Sequence, residues 1–205
     1  MRIGILSPRP FPPAEADGIA SYVYHLVRKL VEKGHDVTLI TRGSLRLQQE
    51  SASDHLRIFR VPILSTYPFH VHIHGIFISR LITMLEPELD IINAHSPYVP
   101  AVTTTLPLMT TIHTLERVDK AQYERVGLSS LAWKLSSKVF SSMELQLFDK
   151  SDMLTAVSSH VFHELKAVYG LERKGILLGN GVDEQTFVPL ENTRRKKGDY
   201  VLYVG

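Results

Sequence analysis

The sequence contains no cysteine and only one tryptophan. Without thiols, disulfide staples, thiolate zinc sites, iron–sulfur clusters and a cysteine nucleophile are excluded. No run of about 18 apolar residues is present to span a bilayer. The opening MRIGILSPRP places proline where a secretory leader needs its apolar stretch, so a cytoplasmic protein is expected. Charge of one sign is lacking too: 23 Lys+Arg against 21 Asp+Glu leave +2, histidines neutral. No overall field attracts a polyanion, and no nucleic-acid partner is expected. The motifs G-x-G-x-x-G, H-E-x-x-H, G-x-S-x-G and G-x-x-x-x-G-K-[ST] are also missing, so dinucleotide, zincin, serine-hydrolase and P-loop chemistry have no local support. What is present is 205 residues, 44% hydrophobic and 21% charged, enough for one core and short for two complete domains.

Apolar periodicity divides the chain into alternating elements. Arg2 to Ser7 reads as a buried strand ending at a proline-dense loop. From Ile19, the residues Tyr22, Val23, Leu26, Val27, Leu30 and Val31 recur at helical steps opposite Arg28, Lys29, Glu32 and Lys33, and Gly34 supplies a C-terminal stop. Asp36 to Thr41 is a second strand. A strand, helix and strand in so short a stretch form the crossover unit of a parallel sheet. The pattern continues with a strand at 56–62, a helix at 76–85, strands at 90–95 and 108–113, a helix at 128–150, a strand at 152–158, a helix at 160–169 and a strand at 175–179. Seven strands in this order predict an α/β fold with a doubly wound parallel sheet. Three prolines between Ser96 and Leu108 predict that the helix there is short or broken. Pro189 to Lys197 is polar and basic and reads as a solvated linker, and Tyr200 to Val204 as one further strand. The predicted organisation is therefore a Rossmann-like domain over 1–190 and, over 191–205, a linker and the first strand of another domain.

Ligands of such sheets gather at the carboxyl ends of the strands. Gly18, at the entrance to the first helix, is suited to anion approach at a helix N-terminus, or is simply a turn residue. His95 and His113 close two strands that should be neighbours, and their imidazoles could bind sugar hydroxyls, exchange protons or be core histidines. Thr114, Arg117 and Lys120 follow as possible contacts to an anionic ligand, or as a solvated helix face. His70, His72 and His74 alternate with Val71 and Ile73. An extended segment would put the three imidazoles on one side, but no carboxylate or thiolate accompanies them, so an exposed ribbon is expected and no metal. Lys134 and Lys138 on the long helix are read as a solvated face, with peripheral membrane contact left open.

NGVDEQTFVP, from Asn180 to Pro189, resembles the Asn-Gly-Val-Asp-x-x-x-Phe-x-Pro segment of the retaining GT-B glycosyltransferases of family 4. MRIGILS, KGHDVTLIT, DIINAHSP, TTIHTLER and AVSSHVFHELKAVYG fall in the order that family uses. The resemblance implies the Rossmann-like N-terminal, acceptor-side domain of a two-domain enzyme with its active site in the cleft between the domains. By the same resemblance His113 is the catalytic residue beside the transferred sugar. Gly18 is the loop glycine that approaches the donor diphosphate, although Asp17 stands where the family usually has a second glycine. Arg9, Asp17, His95, Ser96, Thr114, Arg117 and Lys120 fall to the acceptor, and the His-Thr-Leu-x-Arg run is similar to members that take small phosphorylated acceptors. The implied partners are a nucleotide-sugar donor and a small-molecule or lipid-linked acceptor. The implied activity is a retaining hexosyltransferase-type, metal-independent glycosyltransferase without a cofactor. This chain alone is expected to be inactive, because the donor-binding clamp belongs to the other domain. A nucleotide-sugar 2-epimerase of the same architecture and a non-catalytic sugar- or phosphate-binding module are the alternatives.

Overall fold

The computed structural model describes residues 1–13, 17–63, 70–121, 128–171, 175–185 and 188, the side chains of 119–121 and 128–135 excepted. The elements in chain order are β1 (Arg2–Leu6), α1 (Gly18–Glu32), β2 (Asp36–Arg42), β3 (Gln48–Ser53), β4 (Leu56–Val61), α2 (His70–Leu85), a 3₁₀ turn at Glu86–Glu88, β5 (Ile91–Ser96), β6 (Leu108–Ile112), α3 (Glu116–Ala121), α4 (Leu128–Lys150), β7 (Met153–Ala156), α5 (Ser159–Tyr169) and β8 (Ile176–Leu177). The predicted linker and strand of 191–205, like Phe187 and Pro189 of the family-like segment, lie outside the described residues.

The strands form one sheet in the order β3-β4-β2-β1-β5-β6-β7-β8. All neighbours are parallel except β3 and β4. The sheet is thus the α/β, doubly wound, Rossmann-like arrangement that the periodicity predicts. From β1 the chain winds outward to β2 and β4, then returns and winds the other way through β5. That reversal opens a crevice at the carboxyl ends of β1 and β5, where no crossover helix covers the strand ends.

Alternation along the strands sends apolar side chains to both faces. On one face, Val23 and Val27 of α1 pack against Ile3, Ile5, Val37, Leu39 and Ile58. On the other, α2 buries Ile78, Leu81, Ile82 and Leu85 against Leu6, Ile40, Phe59, Ile92 and Ala94. Farther along, Phe148 of α4 and Val161 and Leu165 of α5 close over Ile112, Leu154 and Ala156. A polar row also runs through the sheet: the Asn93 amide and the Thr155 hydroxyl each donate to Thr111 Oγ1 at 3.0 Å.

Three local features depart from the sequence expectations. β3 is unpredicted, since QQESAS is exposed throughout and has no apolar alternation. It forms because β4 offers an edge, and Glu50 ties to Arg60 across the pair at 2.6 Å. α2 begins at His70, not Ile76, so the three histidines lie on a helix rather than a ribbon. Helical rotation turns His72 outward and buries His74, whose Nδ1 meets the Pro62 carbonyl at 2.8 Å. Among the described residues, no group of three metal-ligating side chains gathers anywhere. Between Ser96 and Leu108 there is no helix at all. That connection is held by Val99 and Val102 in the core and by Glu86, which accepts from the Thr104 hydroxyl at 2.6 Å and the Thr105 N–H at 2.8 Å.

Gly75 is the point where α2 meets this connection. A Cβ on Gly75 would stand 2.7 Å from Pro100 Cβ, closer than two carbons tolerate. Glycine to alanine in a helix ordinarily gains about 1 kcal/mol, whereas overpacking costs about 1–3 kcal/mol. Gly75→Ala is therefore expected to lower the unfolding free energy in urea titration. A gain in stability would show that the contact yields without cost.

Candidate functional site

The site begins at the loop after β1. The Arg9 carbonyl accepts from the hydroxyls of Ser7 and Thr41, which anchors the loop to the ends of β1 and β2. The Arg9 Nε lies 3.0 Å from Asp17 Oδ2. Asp17 is also the N-cap of α1, its Oδ1 accepting from the Ala20 N–H at 2.9 Å. One carboxylate thus closes a helix end and neutralises a guanidinium. Gly18 follows as the first residue of α1, and among the described residues, its chain neighbours and its own helix backbone aside, no atom stands within 4 Å of where a Cβ would be. The backbone there is open to approach, and the N–H groups of a first turn and the helix dipole favour an anion.

β5 and β6 are neighbours with His95 paired to Thr111, one residue short of the strand end. The next turn continues through the His113 N–H, which donates to the Ser96 carbonyl at 3.3 Å. His95 Nδ1 and His113 Nε2 meet at 3.0 Å. Tyr22 of α1 sets its ring edge-on to His113, centroids 4.8 Å apart, and against His95 at 5.7 Å. His95 is fully buried. Burial first, and then its histidine neighbour, pull its pKa down to about 3. Burial holds His113 at about 4, opposed by the Asp17 carboxylate. Both rings are neutral at neutral pH. His95 Nε2 is buried without a hydrogen-bond partner. A stranded lone pair costs less there than a stranded N–H, because an acceptor without a partner is the more tolerated deficit. The favoured tautomer therefore has His95 Nδ1–H donating to His113 Nε2, which leaves His113 a proton on Nδ1 to offer as a donor. His113 is suited to hold a hydroxyl, not to carry charge or exchange protons at neutral pH.

A cleft of about 950 Å³ opens above these groups. Its walls are Arg9, Asp17, Gly18, Tyr22, Pro97, His113 and Thr114 on the sheet side, with His25 and Lys29 farther along α1. Asn180, Gly181, Val182 and Asp183 complete the lining.

Below the cleft lies a buried carboxylate hub. Glu144 of α4 accepts from the Ser96 hydroxyl at 2.8 Å, the Tyr169 hydroxyl at 2.7 Å and the Glu116 N–H at 3.1 Å. It ties the end of β5, the start of α3 and the end of α5 to one side chain. Burial raises its pKa to about 7, against the pull of those three donors. Glu116 is buried beside it and accepts from the Ser141 hydroxyl at 2.8 Å.

Of the residues singled out from the sequence, the structure brings Arg9, Asp17, Gly18, His113 and Thr114 to one cleft. His95 does not line it but stands behind His113. Ser96 does not line it either: its side chain points to the opposite face from His95, as strand alternation requires, and its hydroxyl is spent on Glu144. Arg117 turns away from the cleft, donating to the Val168 carbonyl at 3.3 Å and lying 5.9 Å over the Tyr169 ring. The side chain of Lys120 lies outside the described residues. Sequence reasoning missed Tyr22, His25 and Lys29. Their spacing of three and four along α1 puts them on one helix face, Lys29 included, although the apolar periodicity sets Lys29 opposite Tyr22; that spacing was the available signal. It also missed Glu144, an acidic residue in a mixed helix with no local mark.

A family model described as Glycosyltransferase Family 4 matches residues 16–186. No protein of curated function matches the sequence. Among solved structures, the sucrose-phosphate synthase of Thermosynechococcus elongatus superposes with a TM-score of 0.70 at 16% identity, over 92% of this chain and 50% of that one. The catalytic domain of starch synthase IV from Arabidopsis thaliana, bound to ADP and acarbose, superposes with a TM-score of 0.50 at 14% identity, over 90% and 52%. The chain spans about half the length of these two structures. At such identities the likeness is one of fold.

The buried titratable groups make opposite contributions to stability. A histidine with a lowered folded pKa stabilises fully above its unfolded value of about 6.5 and loses that contribution as pH falls toward the folded value. The advantage of the wild type over His95→Asn in urea unfolding is expected to shrink between about pH 7 and pH 4, by at most ~1.4 kcal/mol per pH unit. Glu144, with a raised pKa, favours the folded state when protonated. The wild type is therefore expected to lose ground to Glu144→Gln as pH rises from about 5 to 8. Parallel pH profiles for all three proteins would contradict both assignments.

Proposed function

The chain belongs to Glycosyltransferase Family 4, and from that premise we propose that it is the acceptor-side half of a retaining, metal-independent transferase. A second lobe, beyond residue 190, carries the nucleotide-sugar donor and faces the cleft. The donor diphosphate lies against Gly18 and the first turn of α1, the transferred sugar against His113, and the acceptor between Arg9, Asp17 and Thr114. The observation that carries this reading is the cleft itself: a bare glycine at a helix N-terminus and a neutral histidine share one space at the sheet's reversal point.

The chemistry follows from those positions. In the transfer, the bond from the anomeric carbon to the leaving phosphate oxygen breaks, and a bond to the acceptor oxygen forms on the same face. The acceptor's proton passes to the departing diphosphate. Negative charge grows on the diphosphate while the sugar ring becomes oxocarbenium-like. The first-turn N–H groups of α1 and its dipole are fixed before reaction and so stabilise that charge without reorganising. His113 holds a sugar hydroxyl through Nδ1–H. Its neutrality matters because a cation there would repel the developing positive charge at the anomeric carbon. Tyr22 and His95 keep the ring in place.

Removing one preorganised donor costs about 3 kcal/mol in the transition state, roughly a hundredfold in rate. In full-length protein carrying both lobes, release of nucleoside diphosphate from a turned-over nucleotide-sugar is expected to fall at least tenfold in His113→Ala. An unchanged rate would refute the role given to His113, and a changed sugar with no acceptor consumed would replace transfer with epimerisation.

A further inference from the structure

Tyr22 stands one helical turn beyond Gly18 on α1, on the side of the helix that lines the cleft. A rise of about 1.5 Å per residue sets it roughly 6 Å along the helix axis from the bare glycine. Its ring packs at the edge of the core beneath α1 and meets the His113 ring at a centroid separation of 4.8 Å. The phenolic oxygen has a different environment. Among the described residues it makes no hydrogen bond. Unlike His95 Nε2, which is buried with no partner, it is not sealed from solvent, and the open space beside Tyr22 is the cleft. Burial of the ring raises the pKa above the ordinary phenol value of 10.0, so the group is a neutral O–H donor at neutral pH.

Several other polar groups of the cleft are already engaged. Asp17 caps α1 and pairs with Arg9, His113 Nε2 accepts from His95, and Lys29 Nζ donates to Glu32 at 2.9 Å. Around Tyr22 the lining is apolar, with Ile19 and Leu26 of α1 and Val157 after β7. Apolar walls offer no counter-ion to a second charge, whereas a few placed donors among them orient a neutral ligand that carries hydroxyls.

We propose that Tyr22 is a binding and specificity residue for the sugar that His113 holds, its phenolic hydroxyl pairing with a second hydroxyl of the same sugar ring. Donors on two rings whose centroids are 4.8 Å apart address one sugar from two points. The second point fixes a rotation that a single hydrogen bond leaves free. A site built to hydrogen-bond a substrate hydroxyl rejects the analogue that lacks it, because the site's own donor then goes without a partner. Naming this sugar as the transferred one rests on the transferase reading; the paired donors rest on the geometry.

Methyl glycosides of glucose, galactose, mannose and N-acetylglucosamine, titrated into full-length protein with the imidazole ¹⁵N shifts of His113 reporting occupancy, test it. At least one is expected to displace those shifts. For that sugar, Tyr22→Phe, which keeps the ring and its packing, is expected to weaken binding about three- to tenfold, as loss of one neutral hydrogen bond does. One monodeoxy analogue of the same sugar is expected to bind the wild type as weakly and to lose nothing further in Tyr22→Phe, while the other monodeoxy analogues still register the substitution. Without sugar, the variant is expected to keep the wild-type melting temperature and His113 shifts. Glycosides that all leave His113 undisturbed, equal affinity in wild type and Tyr22→Phe, a deficit that persists with every monodeoxy analogue, or a lower melting temperature for the sugar-free variant would each overturn the proposal. If a sugar binds through Tyr22 while full-length protein releases no nucleoside diphosphate from any nucleotide-sugar, the sugar site stands and the transferase reading falls. If release proceeds and Tyr22→Phe changes neither affinity nor rate, only the assignment of Tyr22 falls.

Discussion

Burial of His95 is the constraint on which the site depends. An imidazole sealed beneath the cleft and pressed against another imidazole cannot carry a proton's charge. Among the described residues its only hydrogen-bond partner is His113, 3.0 Å away, so it sets both the tautomer and the direction of the ring that faces the cleft. Tyr22 closes the stack from α1 and links the pair to the same helix whose N-terminus is open at Gly18. A single packed unit therefore fixes the His113 imidazole and the open first turn of α1 relative to one another. That relation is what the proposed transfer, with charge of both signs developing a few ångströms apart, requires.

The hub at Glu144 plays the complementary part on the other face of the sheet. The loops after β5 and β6 would otherwise be joined mainly by one backbone hydrogen bond beyond the strand ends, from His113 to Ser96. Glu144 adds the Ser96 hydroxyl and the Glu116 N–H and extends the tie to Tyr169. Burial of the carboxylate raises its pKa to about 7, against the pull of those three donors. The arrangement puts support beneath a cleft lined in part by Asn180 to Asp183, a segment without regular structure of its own.

What could be read from the sequence follows from the range of the interactions involved. β1, α1 and β2 are legible because the apolar repeats of Ile3 to Leu6 and of Tyr22 to Val31 are local and strong. β3 is not, since QQESAS owes its extended form to an edge supplied by β4. The start of α2 is not, because three histidines separated by single apolar residues mimic an alternating strand, and only packing of His74 beneath Pro62 decides for helix. At the site, Gly18 and His113 are visible as strand-end and helix-entry residues. The direction of Ser96 was visible in principle from the alternation that puts His95 on the opposite face. Glu144 was not, because its partners lie 25 to 48 residues away and no short motif joins them.

The central claim, that a buried histidine pair presents a neutral His113 to a sugar at the reversal point of the sheet, has a direct measurement. Imidazole ¹⁵N resonances of His113 can be followed by NMR from about pH 8 to pH 4, with and without nucleotide-sugar. The account predicts a neutral ring protonated on Nδ1 down to about pH 5, with its shifts displaced when the ligand is added. A ring that titrates freely near pH 6.5 and ignores the ligand would contradict it.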